Sequence, residues 1–184
     1  MYRNLLILAF LTLSLSACKT PEARRPVQQK SGSFIKESAE RNKKIFQKEE
    51  ARITKLMKAN PERDYIASES GFWYFYNIKD TTSVKMPEFG DEVTFTFDIK
   101  DLAGTTILSE DENGLQTYIV DQSNQELISG IRDGIKLMKE GEQVTFLFPS
   151  YKAFGYYGIE DKLGTNIPVQ STVTLKSIEE PKEN

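Results

Sequence analysis

The chain has 184 residues, of which 39 % are hydrophobic and 28 % charged, and it contains no histidine and a single cysteine. This composition indicates one or two small globular domains rather than a disordered chain or a polytopic membrane protein. The lack of histidine excludes histidine catalysis. A single cysteine excludes an internal disulfide and any cysteine-cluster metal site.

The charge is distributed unevenly along the chain. Residues 1–33 carry a net charge of +4 and residues 34–61 another +4, whereas residues 62–184 carry −11. Basic residues beside a membrane anchor favour an anionic lipid surface, and an acidic main body argues against nucleic acid as a partner. The same pattern is also explained, without any partner, by ordinary variation in the sign of the charges on solvent-exposed surfaces.

The N-terminal residues have the pattern of an export signal. Arg3 supplies a positive charge, and residues 5–15 form an apolar run that is too short to span a bilayer. Residues 15–18, with the sequence LSAC, resemble the lipobox of bacterial lipoproteins, in which the cysteine is acylated after cleavage. We therefore expect a signal peptide over residues 1–17 and a lipid anchor on Cys18. An ordinary secretory signal that happens to contain a cysteine is the alternative.

A tether and a helix are predicted next. Residues 18–33 contain proline, glycine, glutamine and serine without apolar periodicity, which is typical of a flexible spacer. Residues 34–60 predict a basic amphipathic helix, which ends at Asn60 because the residue before a proline is disfavoured in the α region. The apolar residues of its one face are Ile35, Ala39, Phe46, Ile53, Leu56 and Met57. This helix either lies on its own domain, the interpretation we favour, or forms a homodimer or binds a membrane surface through residues 34–58.

Beyond residue 65 the apolar residues alternate with a period of two, as they do in half-buried antiparallel strands. The alternating segments are residues 72–76, 93–100, 144–148 and 172–176. One amphipathic helix interrupts them, with a capping-box sequence at residues 123–126 and Gly141 just past its end. Its apolar residues are Leu127, Ile128, Ile131, Ile135 and Met138. The predicted fold over residues 65–180 is α+β, a curved antiparallel sheet wrapped around this helix and preceded by the basic helix.

Four segments of this domain resemble the FKBP-type peptidyl-prolyl cis-trans isomerases. They are residues 90–104, 125–131 and 149–155, and Ile167-Pro168 before the last strand. When the lipobox and the tether are considered together with these four segments, the whole chain is similar to the isomerase lipoproteins associated with gliding motility. The resemblance implies a five- or six-stranded sheet around the helix and a shallow apolar pocket between them that accepts a proline ring. No cofactor is expected.

The resemblance also assigns residues to this pocket. The catalytic positions would be Phe97, Phe154 and, at the floor, Ile131, where the family usually has tryptophan. The substrate-binding walls would be Leu108, Tyr118, Leu127, Ile128, Ile167 and Leu175. Phe154 stands where family members usually carry a tyrosine whose hydroxyl bonds the substrate carbonyl, and Leu108 stands where an aspartate is common. Residues 155–158, with the sequence GYYG, would form either a flap over the pocket or a simple turn.

The expected function is therefore prolyl isomerisation in polypeptide clients. Rotation of the amide has a barrier of about 18–20 kcal/mol, and an apolar pocket favours the twisted, less dipolar amide without any acid or base. We expect the enzyme to lie in the cell envelope, on the periplasmic side rather than the cell surface, where it would assist proteins of the gliding machinery. The alternative is a non-catalytic chaperone or scaffold with the same fold, because the polar groups expected at Phe154 and Leu108 are missing.

Overall fold

The computed structural model of the chain describes residues 31–122 and 126–181, with the side chains of the first helix described from residue 34. The predicted signal peptide, the predicted lipidation site Cys18, most of the predicted tether and residues 123–125 of the predicted capping box lie outside the described residues. The chain divides into two compact units, Met1–Ser38 and Ala39–Asn184. The second unit contains the whole β-sheet.

The first helix, α1, spans Ser31–Ala59. Its end is closed by Asn60, whose side-chain amide donates to the Leu56 carbonyl at 2.8 Å. Ile35, near its beginning, is 69 % exposed, whereas Ile53 is completely buried. Among the described residues, no helix is both long enough and apolar enough to cross a membrane.

One antiparallel sheet of eight strands forms the body of the second unit. The strands are β1 (Ile66–Ala67), β2 (Trp73–Ile78), β3 (Glu92–Phe97), β4 (Ile99–Asp101), β5 (Thr106–Leu108), β6 (Gln116–Ile119), β7 (Gln143–Phe148) and β8 (Val169–Glu179). Six of them lie in the order β1-β2-β7-β8-β3-β6, while β4 pairs with β5 and with β8. The predicted α+β class is confirmed. The resemblance implied five or six strands, and this count is corrected to eight among the described residues, of which β1, β4 and β5 have only two or three residues each.

The central strand β7 is buried on both of its faces. Val144, Phe146 and Phe148 point into the main apolar core, where the rings of Phe146 and Phe148 stack with centroids 5.4 Å apart. Leu147 points to the opposite face, because side chains alternate along a strand, and it is also fully buried. The outer face of the sheet is therefore covered near Leu147 as well.

The core helix, α3 (Ser129–Ile135), is shorter than the sequence predicted. Leu127 and Ile128 precede it. Met138 follows it in a turn in which the Met138 amide donates to the Ile135 carbonyl at 3.0 Å. The sequence predicted one helix from Leu127 to Met138, and this prediction was wrong. Turns that flank a helix bury apolar side chains at the same spacing of three or four residues as the helix itself. Gly141 accordingly does not cap this helix.

Two glycines bring α3 close to the sheet. A Cβ atom at Gly130 would lie 2.6 Å from Cδ1 of Phe148, and one at Gly134 would lie 2.8 Å from Cε1 of Phe146. Both distances are shorter than non-bonded carbon atoms allow. The missing side chains therefore let the helix backbone rest directly on the two aromatic rings.

A second short helix, α2 (Glu110–Asn113), follows β5. The Ser109 hydroxyl accepts from the Glu112 amide, and the Glu112 carboxylate accepts from the Ser109 amide at 3.0 Å, which completes a capping box. The prediction of a single helix within the domain is thus corrected. The sequence signal for α2 is the capping-box pattern Ser-Glu-Asp-Glu at residues 109–112.

Candidate active site

Eight of the nine predicted pocket residues belong to one apolar cluster between α3 and the sheet. Phe97, Leu108, Leu127, Ile128 and Phe154 are half-buried and pack against it, while Tyr118, Ile131 and Leu175 are buried within it. Ile167 is half-buried and lies outside this cluster. The half-buried members offer apolar surface to a ligand, and the buried members support them from below.

The predicted floor residue is sealed. Ile131 has 0 % of its side chain exposed. A proline ring reaches Ile131 only if the half-buried side chains around it move. Tyr118 is also buried, and its hydroxyl accepts a hydrogen bond from the Asp121 amide at 3.0 Å.

The loop from β7 to β8 positions Phe154. It begins with a turn of 3₁₀ helix at Ser150–Lys152, and the Ser150 carbonyl accepts from the amides of Ala153 at 2.9 Å and Gly155 at 2.8 Å. Phe154 lies between these two donors, so its backbone is held on both sides. The Gly155 carbonyl in turn accepts from the Asn166 amide at 2.8 Å, which brings the chain next to Ile167 back to the same turn.

Strands β3 and β5 and helix α2 form another part of the pocket rim, by which we mean the half-buried edge of the apolar cluster. The Asn113 side-chain amide donates to the Phe97 carbonyl at 3.0 Å, so α2 docks at the end of β3. Leu108 ends β5, and Ile99 of β4 is its register partner. The rings of Phe95 and Phe97 lie 6.0 Å apart. Phe97 is therefore held by its neighbouring ring and by the hydrogen bond from α2.

A cavity of about 460 Å³ lies beside this rim. It lies between the beginning of β5, at residues 105–107, and the part of the long loop that contains Lys162, Leu163 and Ile167. Of the nine predicted pocket residues, only Ile167 lines it. Lys162 crosses from the loop to α2, where its ammonium group lies 2.9 Å from the Glu112 carboxylate.

Hydrogen bonding also lowers the pKa of the Glu112 carboxyl. The backbone amide of Ser109 and the ammonium group of Lys162 both favour its ionised form and lower this pKa to about 2. Within the described residues, no group of three histidine, cysteine, aspartate or glutamate side chains is arranged to hold a metal ion.

The sequence analysis missed the buried carboxylate of Glu49 on α1. Its two oxygen atoms accept from the amide and the hydroxyl of Ser150, at 2.8 and 2.7 Å. The two residues are 101 positions apart, so no local pattern connects them. The only signal for Glu49 is a glutamate on the apolar side of the predicted helix, near Phe46 and Ile53.

Residues 84–176 match the family model described as FKBP-type peptidyl-prolyl cis-trans isomerase. The chain is 31 % identical over 129 residues to the "Probable FKBP-type peptidyl-prolyl cis-trans isomerase FkpA" of Neisseria meningitidis serogroup B, an alignment that covers 69 % of this chain. The chain belongs to the FKBP-type peptidyl-prolyl cis-trans isomerase family. The chain spans 45 % of the length of that Neisseria protein.

Two crystal structures share this fold. FkpA from Escherichia coli superposes with a TM-score of 0.58 at 17 % identity, covering 97 % of this chain and 82 % of its own. A peptidyl-prolyl cis-trans isomerase from Pseudomonas syringae pv. tomato superposes with a TM-score of 0.56 at 17 % identity, covering 71 % of this chain and 92 % of its own. At these identities the likeness concerns the fold alone.

Proposed function

We propose that this chain catalyses cis–trans isomerisation of the peptide bond before proline in polypeptide clients. The observation that carries the proposal is the set of half-buried apolar side chains, Phe97, Leu108, Ile128 and Phe154 among them, on a domain of this family. Such a surface takes the proline ring out of water and favours the twisted amide, which is less dipolar than the planar one. Bond rotation needs no acid, base or cofactor.

The first test is the refolding of a substrate protein whose slow phase is limited by proline isomerisation. Phe154→Ala should lower kcat/KM by about tenfold, because it removes apolar surface that contacts the proline in the rotating state. Phe89→Ala is the matched control, since Phe89 is a phenylalanine outside the proposed site and 70 % exposed. Equal loss in both variants, or none in Phe154→Ala, contradicts the assignment of this site.

A binding module without catalysis is the second candidate function. Two observations favour it: Phe154 lacks the hydroxyl that the resemblance leads one to expect, and Ile131 has no exposed surface. A well-folded wild type that binds a proline-containing peptide but leaves the refolding rate unchanged would support this candidate. Phe154→Tyr then serves as a diagnostic variant, because a gain of activity would show that only the hydroxyl was missing.

We also propose that the mature protein is anchored by lipid on Cys18 at the periplasmic side of the cell envelope. The support is the lipobox sequence with its single cysteine. Cells supplied with an alkyne-bearing fatty acid should label the wild type, and Cys18→Ala should remain unlabelled. Proteins of the gliding apparatus are the clients we propose, and slower colony spreading without this protein would support them.

The exposed beginning of α1 supports a further part of the proposal, a homodimer through residues 34–58. Phe34 and Ile35 are both exposed apolar residues near the beginning of this helix. Light scattering of the complete chain in detergent should give twice the protein mass for the wild type and the monomer mass for the double variant Phe34→Glu, Ile35→Glu. A wild type of monomer mass would contradict the dimer.

A further inference from the structure

The carboxylate of Glu49 is buried by contact with the loop that carries Phe154. Only 2 % of Glu49 is exposed, and both of its oxygen atoms are bonded to Ser150. A buried carboxylate is costly unless hydrogen bonds replace its water. Hydrogen bonds to an ionised acceptor are also about twice as strong as those between neutral groups. The position of the Ser150 peptide is thus fixed by α1.

The Ser150 backbone in turn fixes the chain on both sides of Phe154. The Ser150 N–H group donates to Glu49, while the Ser150 carbonyl accepts from the amides of Ala153 and Gly155. These groups belong to the two peptide units that meet at the Ser150 Cα atom, so a displacement of Ser150 disturbs all three hydrogen bonds. Two successive hydrogen bonds, between Glu49 and Ser150 and between Ser150 and the neighbours of Phe154, thus connect α1 to Phe154. The two are far apart in the sequence.

A second contact holds the neighbouring residue. The ring of Phe46 on α1 meets the ring of Tyr151 at a centroid distance of 5.7 Å and an angle of 63°. The Tyr151 hydroxyl donates to the Gly71 carbonyl at 2.9 Å on the other side. A Cβ atom at Gly71 would lie 2.4 Å from this hydroxyl oxygen, so the glycine admits the tyrosine. Ser150 and Tyr151 are therefore held between α1 and the turn before β2.

We propose that Glu49 is a positioning residue of the isomerase site, and this inference rests on the proposed function. It does not touch the substrate. It holds Ser150 in the position from which the Ser150 carbonyl accepts from Ala153 and Gly155, the two neighbours of Phe154. Displacement of a pocket wall by about 1 Å lowers the rate by up to about a hundredfold, so the effect is measurable in activity.

The test uses the complete chain in mild detergent and compares Glu49→Ala, Glu49→Gln and the control Glu50→Ala. Glu50 is the next residue on the same helix and is exposed. Glu49→Ala should lower kcat/KM for a short proline-containing peptide by about tenfold, mainly through kcat. Glu49→Gln should recover most of this loss, because the amide oxygen accepts from the Ser150 amide while its nitrogen donates to the Ser150 hydroxyl. Glu50→Ala should match the wild type.

A second readout is independent of activity. In nuclear magnetic resonance spectra the Gly155 amide and the Phe154 ring should shift in Glu49→Ala and return in Glu49→Gln, while Val173 in β8 stays unchanged. If Glu49→Ala does not fold, Glu49→Asp replaces it, because the shorter side chain keeps the charge but cannot bond both Ser150 atoms.

The outcomes distinguish the proposed isomerase activity from the proposed positioning role of Glu49. A wild type without isomerase activity overturns the proposed function, and the role of Glu49 is then decided by the Phe154 and Gly155 resonances alone. An active wild type with an equally active Glu49→Ala overturns the positioning role. A loss of kcat/KM that Glu49→Gln does not recover overturns it too, because the hydrogen bonds would then not be its cause.

Discussion

Two carboxylates tie the same long loop to two different helices, and they differ in their burial. Glu49 of α1 holds the beginning of the loop at Ser150 with 2 % of its surface exposed. Glu112 of α2 holds the middle of the loop at Lys162, and the two side chains are 53 % and 44 % exposed. The distances from carboxylate to donor are similar, at 2.7 to 2.9 Å.

The difference teaches that similar contact distances do not mean similar contributions to stability. Water competes for both partners of the exposed pair, and salt screens their attraction, so such pairs contribute little. The buried pair has exchanged water for fixed partners, so removing one partner leaves a charge without solvation. We therefore expect the loop to be held firmly at Ser150 and loosely at Lys162.

The largest effect is expected from breaking the packing that buries Glu49. Ile53→Ala should lower the free energy of unfolding by about 3 kcal/mol, because it empties a fully buried position one helical turn from Glu49. Ile78→Ala is the matched control, an isoleucine that is 58 % exposed, and should change stability by less than about 0.5 kcal/mol. Urea unfolding measures both. Equal effects would mean that α1 does not pack on the domain in solution.

A smaller effect is expected when the same contact is broken from the loop side. Ser150→Ala removes the hydroxyl that donates to Glu49 and should cost about 2 kcal/mol, since a buried carboxylate oxygen loses its partner. Ser129→Ala is the control, because that hydroxyl donates to the neutral Lys152 carbonyl at a long 3.4 Å. We expect it to cost about 0.5 kcal/mol. A control that costs as much as Ser150→Ala would contradict the special role of the buried pair.

The smallest effect on stability is expected at the exposed pair of Glu112 and Lys162, and it depends on pH. The pKa of Glu112 falls from 4.5 to about 2 on folding, so its contribution is present above about pH 4.5 and disappears as the pH falls towards 2. The difference in melting temperature between the wild type and Glu112→Gln should therefore be small at neutral pH and should vanish at about pH 2.

Lys162→Met separates the two partners of Glu112. Half a molar salt should abolish the effect of Lys162→Met but not that of Glu112→Gln, because the short hydrogen bond from the Ser109 amide to the Glu112 carboxylate is screened much less than the exposed ion pair. A pH-independent difference between the wild type and Glu112→Gln would show that the carboxylate is not ionised preferentially in the folded state.

Much of the sheet could be predicted from the sequence, because successive side chains of its long strands alternate between the apolar core and a more polar face. Residues 144–148 were predicted as a strand, and β7 is observed at Gln143–Phe148. Residues 93–100 were predicted as one strand, but β3 and β4 are separate there, because Asp98 between them uses its carboxylate and carbonyl to bind β8. Alternation does not reveal such a break.

The core helix and the contact with α1 could be predicted less well, for different physical reasons. Leu127 and Met138 have helical spacing but lie outside α3, and a spacing of three or four residues cannot distinguish a helix from the irregular segments that flank it. The bond between Glu49 and Ser150 joins residues that only the tertiary fold brings together. The nine pocket residues came from resemblance to a family, since an apolar residue on an inward face is otherwise ordinary core.

The pairing of β2 with β7 bears on where the folding unit begins. The family match starts at residue 84, yet β2 at Trp73–Ile78 pairs with residues 143–147 along one edge of the central strand β7. A fragment cut at residue 84 would leave the backbone of these residues without its partner on that edge. An unpaired, apolar edge of this kind recruits other chains, so the trimmed domain should aggregate rather than behave as a smaller isomerase.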